Sequence, residues 1–336
     1  MASFGTDHII NPFARFAEYL ALAVAAPERF RLIEMLTGLP ETPLPEPHRP
    51  PAGRWILCGY GRFGHLLATH LQPAGIDLTI IDPGCADCAS PPTIRGYGTE
   101  AVTLRQAGID GASGIIAGSD DDVNNLSIAV TASELKPSLF VVTRQNHSVN
   151  NPLFAAYNAD FTMVPGRIVA QECIAILTTP LLAAFLELLR ERDETWSGAL
   201  VTRLQALCDG RTPALWAVKL NIAGAQGAYR ALMQGQRIAL GDILRDGTDR
   251  SQALPAATLL IRRDKELILL PPDEFLLAAG DELLLASSLS ARRNLELTLH
   301  NPNELDYVLT GSEVSGSWLW ERVMRSGRPG ARAGEP

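Results

Sequence analysis

Three glycines and one acid carry the chemistry that the sequence shows most directly. Gly59, Gly61 and Gly64 form a G-x-G-x-x-G pattern, and Asp82 follows 18 residues after the last glycine. Glycines at this spacing permit a tight turn, let a pyrophosphate approach the backbone and let a helix pack closely on a strand. An acid at this distance accepts hydrogen bonds from ribose hydroxyls, which favours a nucleotide without a 2′-phosphate.

The elements that must position these residues are a strand, a helix and a second strand. An apolar run at residues 54–58 precedes the glycines, and another at residues 77–81 ends at Asp82. The start of the intervening helix offers free N–H groups and the positive end of its dipole to phosphates. The sequence therefore predicts a nucleotide site. The alternative is a Rossmann-like fold that binds no nucleotide and keeps the glycines for packing.

Four further side chains complete the predicted site. Arg62 and Phe63 lie inside the glycine-rich loop, where a guanidinium can reach a phosphate at short range. Thr99 and Asp120 follow the third and fourth predicted strands, and ligands bind at the carboxyl ends of strands in such sheets. An exposed arginine and a simple helix cap at Thr99 are the alternatives. For Arg144, a ligand contact and a subunit contact both remain open.

We predict neither a catalytic residue nor a metal site. No histidine pairs visibly with an acid, and neither Tyr-x-x-x-Lys nor Gly-x-Ser-x-Gly occurs. Ser119 or Asp120 is predicted to cap the next helix, with Asp121 and Asp122 in its first turn. A divalent-cation site on Asp120–Asp122 is a minor alternative, because three adjacent carboxylates at a helix start diverge. Cys85 and Cys88 form a single C-x-x-C without two more nearby ligands, so metal or redox chemistry is a minor alternative. These features indicate sensing; an NAD-dependent oxidoreductase and a nucleotide-free scaffold are the alternatives.

Length and charge limit the class of protein. The chain has 336 residues, of which 46% are hydrophobic and 20% are charged, and this suits two domains with apolar cores. A formal net charge of −8 argues against a nucleic-acid partner. Five cysteines without a signal peptide favour a cytoplasmic setting. No apolar stretch approaches the ~20 residues of a membrane span.

The alternation of apolar runs and helical patterns predicts the fold class. Residues 54–165 are predicted to form an α/β, Rossmann-like doubly wound parallel sheet, and residues 166–195 a long helix kinked at Pro180. Residues 196–290 are predicted to form a smaller α+β domain. The other segments are a helical segment at 1–39, a proline-rich linker at 40–53 and a tail at 291–336. In the first domain, strands are predicted at 54–58, 77–81, 93–97, 113–117, 138–143 and 160–164, and helices at 63–73, 100–107, 121–135 and 151–157.

An internal repeat links the N-terminal segment to the long helix. Residues 7–36 align with residues 160–189, which places Pro27 on Pro180. The repeat indicates that the N-terminal helices end an earlier Rossmann unit, so that the chain is half of a tandem protein. Chance similarity between two proline-interrupted amphipathic helices is the alternative.

Several of these motifs together resemble one family, the RCK (KTN, TrkA-N) domain, which regulates potassium channels and transporters from the cytoplasmic side. The matching segments are Gly59–Gly64, Ile80–Asp82, Gly96–Thr99, Ala107–Ile109, Ala117–Asp122 with Asn125, and Val141–Arg144. The helix at 167–192 resembles the family's crossover helix, and Leu259–Arg262 and Ala279–Leu285 resemble the RCK-C (TrkA-C) domain. Tyr97 departs from the family pattern, which has an acid there.

The resemblance implies a regulatory or gating subunit held at the inner face of the plasma membrane by a potassium channel or transporter. It also implies a homo-oligomer, in which dimers build toward a tetrameric or octameric ring whose shape changes when a nucleotide binds. NAD(H) is the expected ligand, and ATP, ADP or AMP are the alternatives.

Overall fold

The computed structural model describes residues 10–44, 49–85, 91–170 and 179–311. The chain divides into two compact units. The first takes Met1–Gly38 and Leu44–Arg203, and the second takes Leu39–Pro43 and Leu204–Pro336. Cys88 and the end of the predicted tail, residues 312–336, lie outside the described residues.

A six-stranded parallel sheet forms the centre of the first unit. Its strands are β1 (Gly53–Cys58), β2 (Ile76–Ile81), β3 (Thr93–Ile94), β4 (Gly114–Ala117), β5 (Phe140–Arg144) and β6 (Phe161–Met163). They stand in the order β3-β2-β1-β4-β5-β6, and every neighbouring pair is parallel. The predicted doubly wound sheet is confirmed, with β3 shorter than expected. The strand order reverses between β1 and β4, which is where ligands bind in such sheets.

Helices cover both faces of this sheet. The helices of the first unit and of its C-terminal boundary are α1 (Pro12–Ala25), α2 (Pro27–Thr37), α3 (Arg62–Leu71), α4 (Ala101–Gln106), α5 (Asp122–Leu135), α6 (Asn151–Tyr157), α7 (Pro180–Leu189) and α8 (Glu194–Leu207). Strand β1 is apolar on both sides, as strands buried between helix layers are. Trp55 and Leu57 belong to the core that includes α1 and α3, whereas Ile56 and Cys58 belong to the core that includes α4 and α5.

The N-terminal helix α1 is part of the first unit. Phe16 and Leu20 are buried in the same core as Phe63 and Leu67 of α3. The side chain of Asn11 accepts hydrogen bonds from the first free N–H groups of α1 and so caps the helix. This packing fixes the first turn of α1 above the start of α3.

The single helix predicted over residues 166–195, with a kink at Pro180, is interrupted in the structure. Residues 165–170 are helical, but Pro180 begins a separate helix that ends at Leu189. Proline donates no N–H and disfavours the helical conformation in the residue before it, so Pro180 starts a helix here and does not kink one.

The same backbone geometry occurs at the proline that the repeat aligns with Pro180. Thr179 has φ −145° and ψ 72°, and Ala26, before Pro27, has φ −146° and ψ 68°. Both prolines begin a new helix. This similarity supports the predicted repeat, which stays a prediction.

The second unit contains a four-stranded antiparallel sheet. Its strands are β7 (Ala214–Lys219), β8 (Ala256–Arg263), β9 (Glu266–Leu269) and β10 (Glu282–Ser287), in the order β7-β10-β8-β9. Its other helices are α9 (Gln226–Met233), α10 (Leu240–Ile243), α11 (Leu289–His300) and α12 (Pro302–Thr310). The predicted α+β class of this part is confirmed. Its assignment to the TrkA-C domain stays a prediction.

The first part of the predicted tail is helical and belongs to the second unit. Residues 291–310 form most of α11 and α12, and Leu295, Leu299 and Leu305 are buried in the core of the second unit. Leucines four residues apart line one face of α11, and this stripe packs it onto the sheet.

Within the described ranges, no helix combines the length and the apolar character needed to cross a membrane.

Candidate functional site

A cavity of about 360 Å³ lies at the carboxyl ends of the central strands of the first unit. Seven of the eight residues predicted to bind a ligand line it: Gly59, Gly61, Arg62, Phe63, Asp82, Thr99 and Asp120. The eighth, Gly64, packs behind the loop. The topology brings these residues together because parallel strands end at one edge of the sheet: Cys58 at the end of β1 pairs with Ile81 of β2 and with Ala117 of β4.

Two of the glycines are explained by packing inside the protein. Gly59 has φ +98°, which favours glycine, and a Cβ there would lie 3.1 Å from the backbone N of Ser119. A Cβ on Gly64 would lie 2.2 Å from the carbonyl oxygen of Gly59. Both residues would therefore be glycine with or without a ligand.

Gly61 is different, because the protein itself does not require glycine there. Its φ is −75°, which other residues adopt, and an added Cβ would meet no atom within 4 Å. Gly61 lines the cavity and is the residue immediately before α3. A side chain at this position would occupy space from which a ligand reaches the backbone N–H groups at the start of α3.

Asp82 holds the glycine-rich loop in place. Its carboxylate accepts a hydrogen bond from the N–H of Tyr60 at 2.7 Å and one from the N–H of Gly84 at 2.7 Å. The carboxylate also lines the cavity, and a carboxylate has more acceptor positions than these two bonds use. Asp82 thus has a structural role in addition to the predicted contact with a ribose.

Two guanidinium groups line the cavity. Arg144 is half-buried at the end of β5, and its guanidinium lies over the ring of Phe13 at 4.7 Å and over that of Phe63 at 5.4 Å. Burial lowers the pKa of Arg144 and the charge of Arg62 lowers it further, whereas Asp120 and Asp122 act in the opposite direction. The Nε atom of Arg144 is buried and has no hydrogen-bond partner among the described residues. An anionic ligand would relieve the repulsion between the two arginines.

Asn125, which is fully buried, joins the ends of β4 and β5. Its side-chain oxygen accepts hydrogen bonds from the N–H and the hydroxyl of Ser119, and its amide donates to the carbonyl oxygens of Ser119 and Arg144. All the hydrogen-bonding capacity of this amide is therefore used inside the protein. The motif resemblance included Asn125 but did not assign it this role.

The three acids at the start of α5 have different roles, and the residue that caps the helix is Asp121, not Ser119 or Asp120 as predicted. Asp120 is exposed at the cavity, Asp121 caps α5 by accepting from the N–H of Asn124 at 2.8 Å, and Asp122 is buried. Within the described ranges, no three metal-binding side chains of the His, Cys, Asp or Glu type come together.

Asp122 anchors the loop that follows β5. Its carboxylate accepts hydrogen bonds from the N–H and side-chain amide of Asn146, from the N–H of His147 and from the side-chain amide of Asn150, at 2.6–3.0 Å. Burial raises the pKa of Asp122, but these hydrogen bonds lower it by more, so the pKa lies below its ordinary value of 3.8. This acid is structural and does not line the cavity.

The floor of the cavity near β3 is tightly packed. A Cβ on Gly98 would lie 2.6 Å from the sulfur of Cys58, and burial raises the pKa of that thiol to about 12. Cys58 is therefore an unreactive thiol at neutral pH. Tyr97, where the family pattern has an acid, is exposed at the rim of the cavity.

Sequence reasoning missed Phe13, which lines the cavity from outside the predicted nucleotide-binding domain. It lies on α1, more than 40 residues before the glycine-rich loop, and its ring packs against Phe63 with centroids 5.5 Å apart. The amphipathic pattern predicted α1, but no local signal predicts which cavity one of its aromatic residues reaches.

Comparison with known proteins shows what part of this unit is similar to. Residues 55–165 match the model of the TrkA-N domain. The chain is 25% identical over 147 residues to Potassium channel protein 1 of Methanocaldococcus jannaschii, covering 42% of this chain and 44% of that protein. It is 34% identical over 103 residues to an uncharacterized protein of Methanothermus fervidus, covering 29% of this chain and 16% of that protein. The chain matches less than half the length of these curated relatives.

Among solved structures, the chain matches the RCK domain of GsuK. It aligns with a TM-score of 0.36 at 22% sequence identity and covers 76% of this chain and 48% of that chain.

Proposed function

We propose that this chain, which belongs to the TrkA-N domain family through residues 55–165, is a nucleotide-sensing regulatory subunit or domain of a potassium channel or transporter. The observation that carries the proposal is the cavity beside Gly61, where the backbone is open and the guanidinium groups of Arg62 and Arg144 both line the space. The similarity to a potassium channel protein supports the membrane partner. We place the protein at the cytoplasmic face of the membrane, held there by that partner.

In this proposal, each part of the cavity binds one part of a nucleotide. The phosphates bind at the start of α3 and at the guanidinium of Arg62, because free N–H groups and a positive charge lie close together there. The carboxylate of Asp82 accepts a hydrogen bond from a ribose hydroxyl. Thr99 and Gly98 lie where the base would be bound, over the ends of β2 and β3.

A nucleotide can regulate a partner only through a difference in its affinity for two states of the protein. Arg144 is the residue through which such a difference would arise, because it contacts the cavity on one side and Phe13 of α1 on the other. A phosphate bound by Arg144 would hold the guanidinium against which Phe13 of α1 packs, so that nucleotide binding and the position of α1 are linked.

Arg62→Ala is expected to weaken nucleotide binding about tenfold, since a hydrogen bond to a charged group contributes about 1.5 kcal/mol or more. Arg62 is exposed, so its loss should leave the free energy of unfolding nearly unchanged. Arg105→Ala is the matched control, because it removes an exposed arginine of the same unit that does not line the cavity. Isothermal titration calorimetry with NAD⁺, NADH, ATP, ADP and AMP measures the effect. Equal affinities of the two variants would rule out the phosphate role of Arg62.

We further propose that the chain self-associates through α4 and α5. Val123 and Val130 lie two turns apart on α5 and are 75% and 44% exposed, and Val102 on the neighbouring α4 is 64% exposed. Apolar side chains exposed together on packed helices are typical of a surface that another protein covers. A second copy of this chain would bury them and build the dimer from which a ring is assembled.

The double variant Val123→Glu, Val130→Glu is therefore expected to shift the chain toward monomers, because like charges would face each other across a two-fold interface. Ile222→Glu, which alters an exposed apolar residue of the second unit, is the control. Multi-angle light scattering gives the molar mass of each. A double variant with the same mass as the native chain would place the interface elsewhere.

The two alternatives differ from this proposal in measurable ways. An NAD-dependent oxidoreductase would consume NADH in the presence of a small carbonyl compound. A nucleotide-free scaffold would form oligomers but show no heat of binding with any of the five nucleotides. The regulatory proposal expects binding without turnover.

A further inference from the structure

The cavity has two halves, and they differ in how open they are. In a sheet of this strand order, a dinucleotide lies across the point of reversal, with one nucleoside over β2 and β3 and the other over β4 and β5. The half over β2 and β3 is open and is lined by Asp82 and Thr99. The other half is lined by Gly118, Ser119 and Asp120, and a side chain from outside the TrkA-N domain narrows it.

That side chain is Phe13. Its ring stands over the guanidinium of Arg144 at the end of β5 and packs against Phe63. Phe63 in turn lies against Gly118 at the end of β4, where an added Cβ would be 3.2 Å from its ring. The stack of Phe13, Arg144 and Phe63 therefore forms one wall of the cavity over the ends of β4 and β5.

Phe13 is held in this position by the start of its own helix. The side chain of Asn11 accepts a hydrogen bond from the N–H of Phe13 at 3.1 Å, and three residues later Phe16 packs on Phe63 with ring centroids 5.9 Å apart. To admit a second nucleoside, the protein would have to give up an aromatic pair and a cation–π contact. The volume of about 360 Å³ is at the lower end of the ~300–1,000 Å³ range of small-molecule sites.

We propose that Phe13 is a specificity-determining residue that restricts this site to a nucleoside mono- or diphosphate and excludes the second half of a dinucleotide. The inference rests on the proposed function, because it concerns which nucleotide the same cavity takes. It replaces NAD(H), the expected ligand, with a mononucleotide such as ADP or AMP, which was the alternative. The reason is a residue that the motif does not contain.

Calorimetric titration of the full chain with ADP and with NAD⁺ tests this proposal. The native chain is expected to bind ADP at least tenfold more tightly than NAD⁺. In Phe13→Ala this ratio should fall to about threefold or less, mainly because NAD⁺ binds better. Phe16→Leu is the matched control, since it changes another α1 aromatic residue that contacts Phe63 but does not line the cavity, and it should keep the native ratio.

A native chain that binds NAD⁺ as tightly as ADP, or a ratio that Phe13→Ala leaves unchanged, would overturn the proposal while the sensing function stands. Failure of the native chain to bind either nucleotide would contradict the proposed function, and this inference with it. Thermal denaturation checks the fold of each variant. If Phe13→Ala is unfolded, Phe13→Leu, which keeps apolar packing but not the aromatic contact with Arg144, is measured in its place and is expected to lower the ratio at least threefold.

Discussion

Gly61→Ala is expected to reduce nucleotide affinity about 100-fold or more while the protein stays folded. The new methyl group would meet no protein atom within 4 Å, so the fold accepts it. It would, however, stand where the phosphates approach the N–H groups at the start of α3. The ligand would then lose charge-assisted hydrogen bonds of about 1.5–3 kcal/mol each, and two such losses amount to 100-fold or more.

The free energy of unfolding of Gly61→Ala should fall by no more than about 1 kcal/mol. The one cost is that alanine is less favourable than glycine at the N-cap position of a helix. Urea denaturation measures this value, and calorimetry measures affinity. Gly166→Ala is the control: its added methyl group also meets no atom within 4 Å, and Gly166 does not line the cavity. If Gly61→Ala bound nucleotide like the native chain, no phosphate could lie against this loop.

Asp122→Ala is expected to lower the free energy of unfolding by about 3–5 kcal/mol at neutral pH. The substitution removes the acceptor of four hydrogen bonds and leaves the donors of Asn146, His147 and Asn150 to find other partners in a partly buried loop. Asp121→Ala, which removes only the cap of α5, should cost about 1 kcal/mol. Similar losses in the two variants would contradict the anchoring role of Asp122.

The contribution of Asp122 also depends on pH in a known direction. Its pKa in the folded protein is lower than its ordinary value of 3.8, so the folded state favours the ionised carboxylate. The stabilisation is therefore complete above the pKa of the unfolded chain and is lost as the pH falls through the lower pKa of the folded protein. Urea denaturation of the native chain and of Asp122→Ala between pH 7 and pH 3 should show their difference in stability shrinking only in the acid range.

The glycine-rich loop could be predicted from sequence because its signal is local. One strand, one turn and one helix carry Gly59, Gly61 and Gly64 within a few residues, and the apolar run before Asp82 fixes the second strand. Phe63 and Arg62 then follow from their place in the loop. Thr99 and Asp120 could be predicted because parallel strands of one sheet end at one edge, whatever their separation along the chain.

The features that could not be predicted depend on contacts between distant segments. Phe13 reaches the cavity only because α1 packs on α3, and an amphipathic helix does not specify the surface that it covers. The buried roles of Asn125 and Asp122 depend on loops after β5 that have no regular pattern. The predicted kink at Pro180 was wrong, because Pro180 begins a new helix. A proline in a helical pattern is compatible with either outcome, and contacts with the rest of the protein determine which one forms.

A crystal structure of the chain grown with saturating ADP tests the central claim most directly. Density for the phosphates is expected at the N–H groups beside Gly61 and at the guanidinium of Arg62, with the ribose at Asp82 and the ring of Phe13 still in place over Arg144. An empty cavity at saturating ADP, or ADP bound away from the ends of β1 and β2, would contradict the claim that this cavity is the nucleotide site.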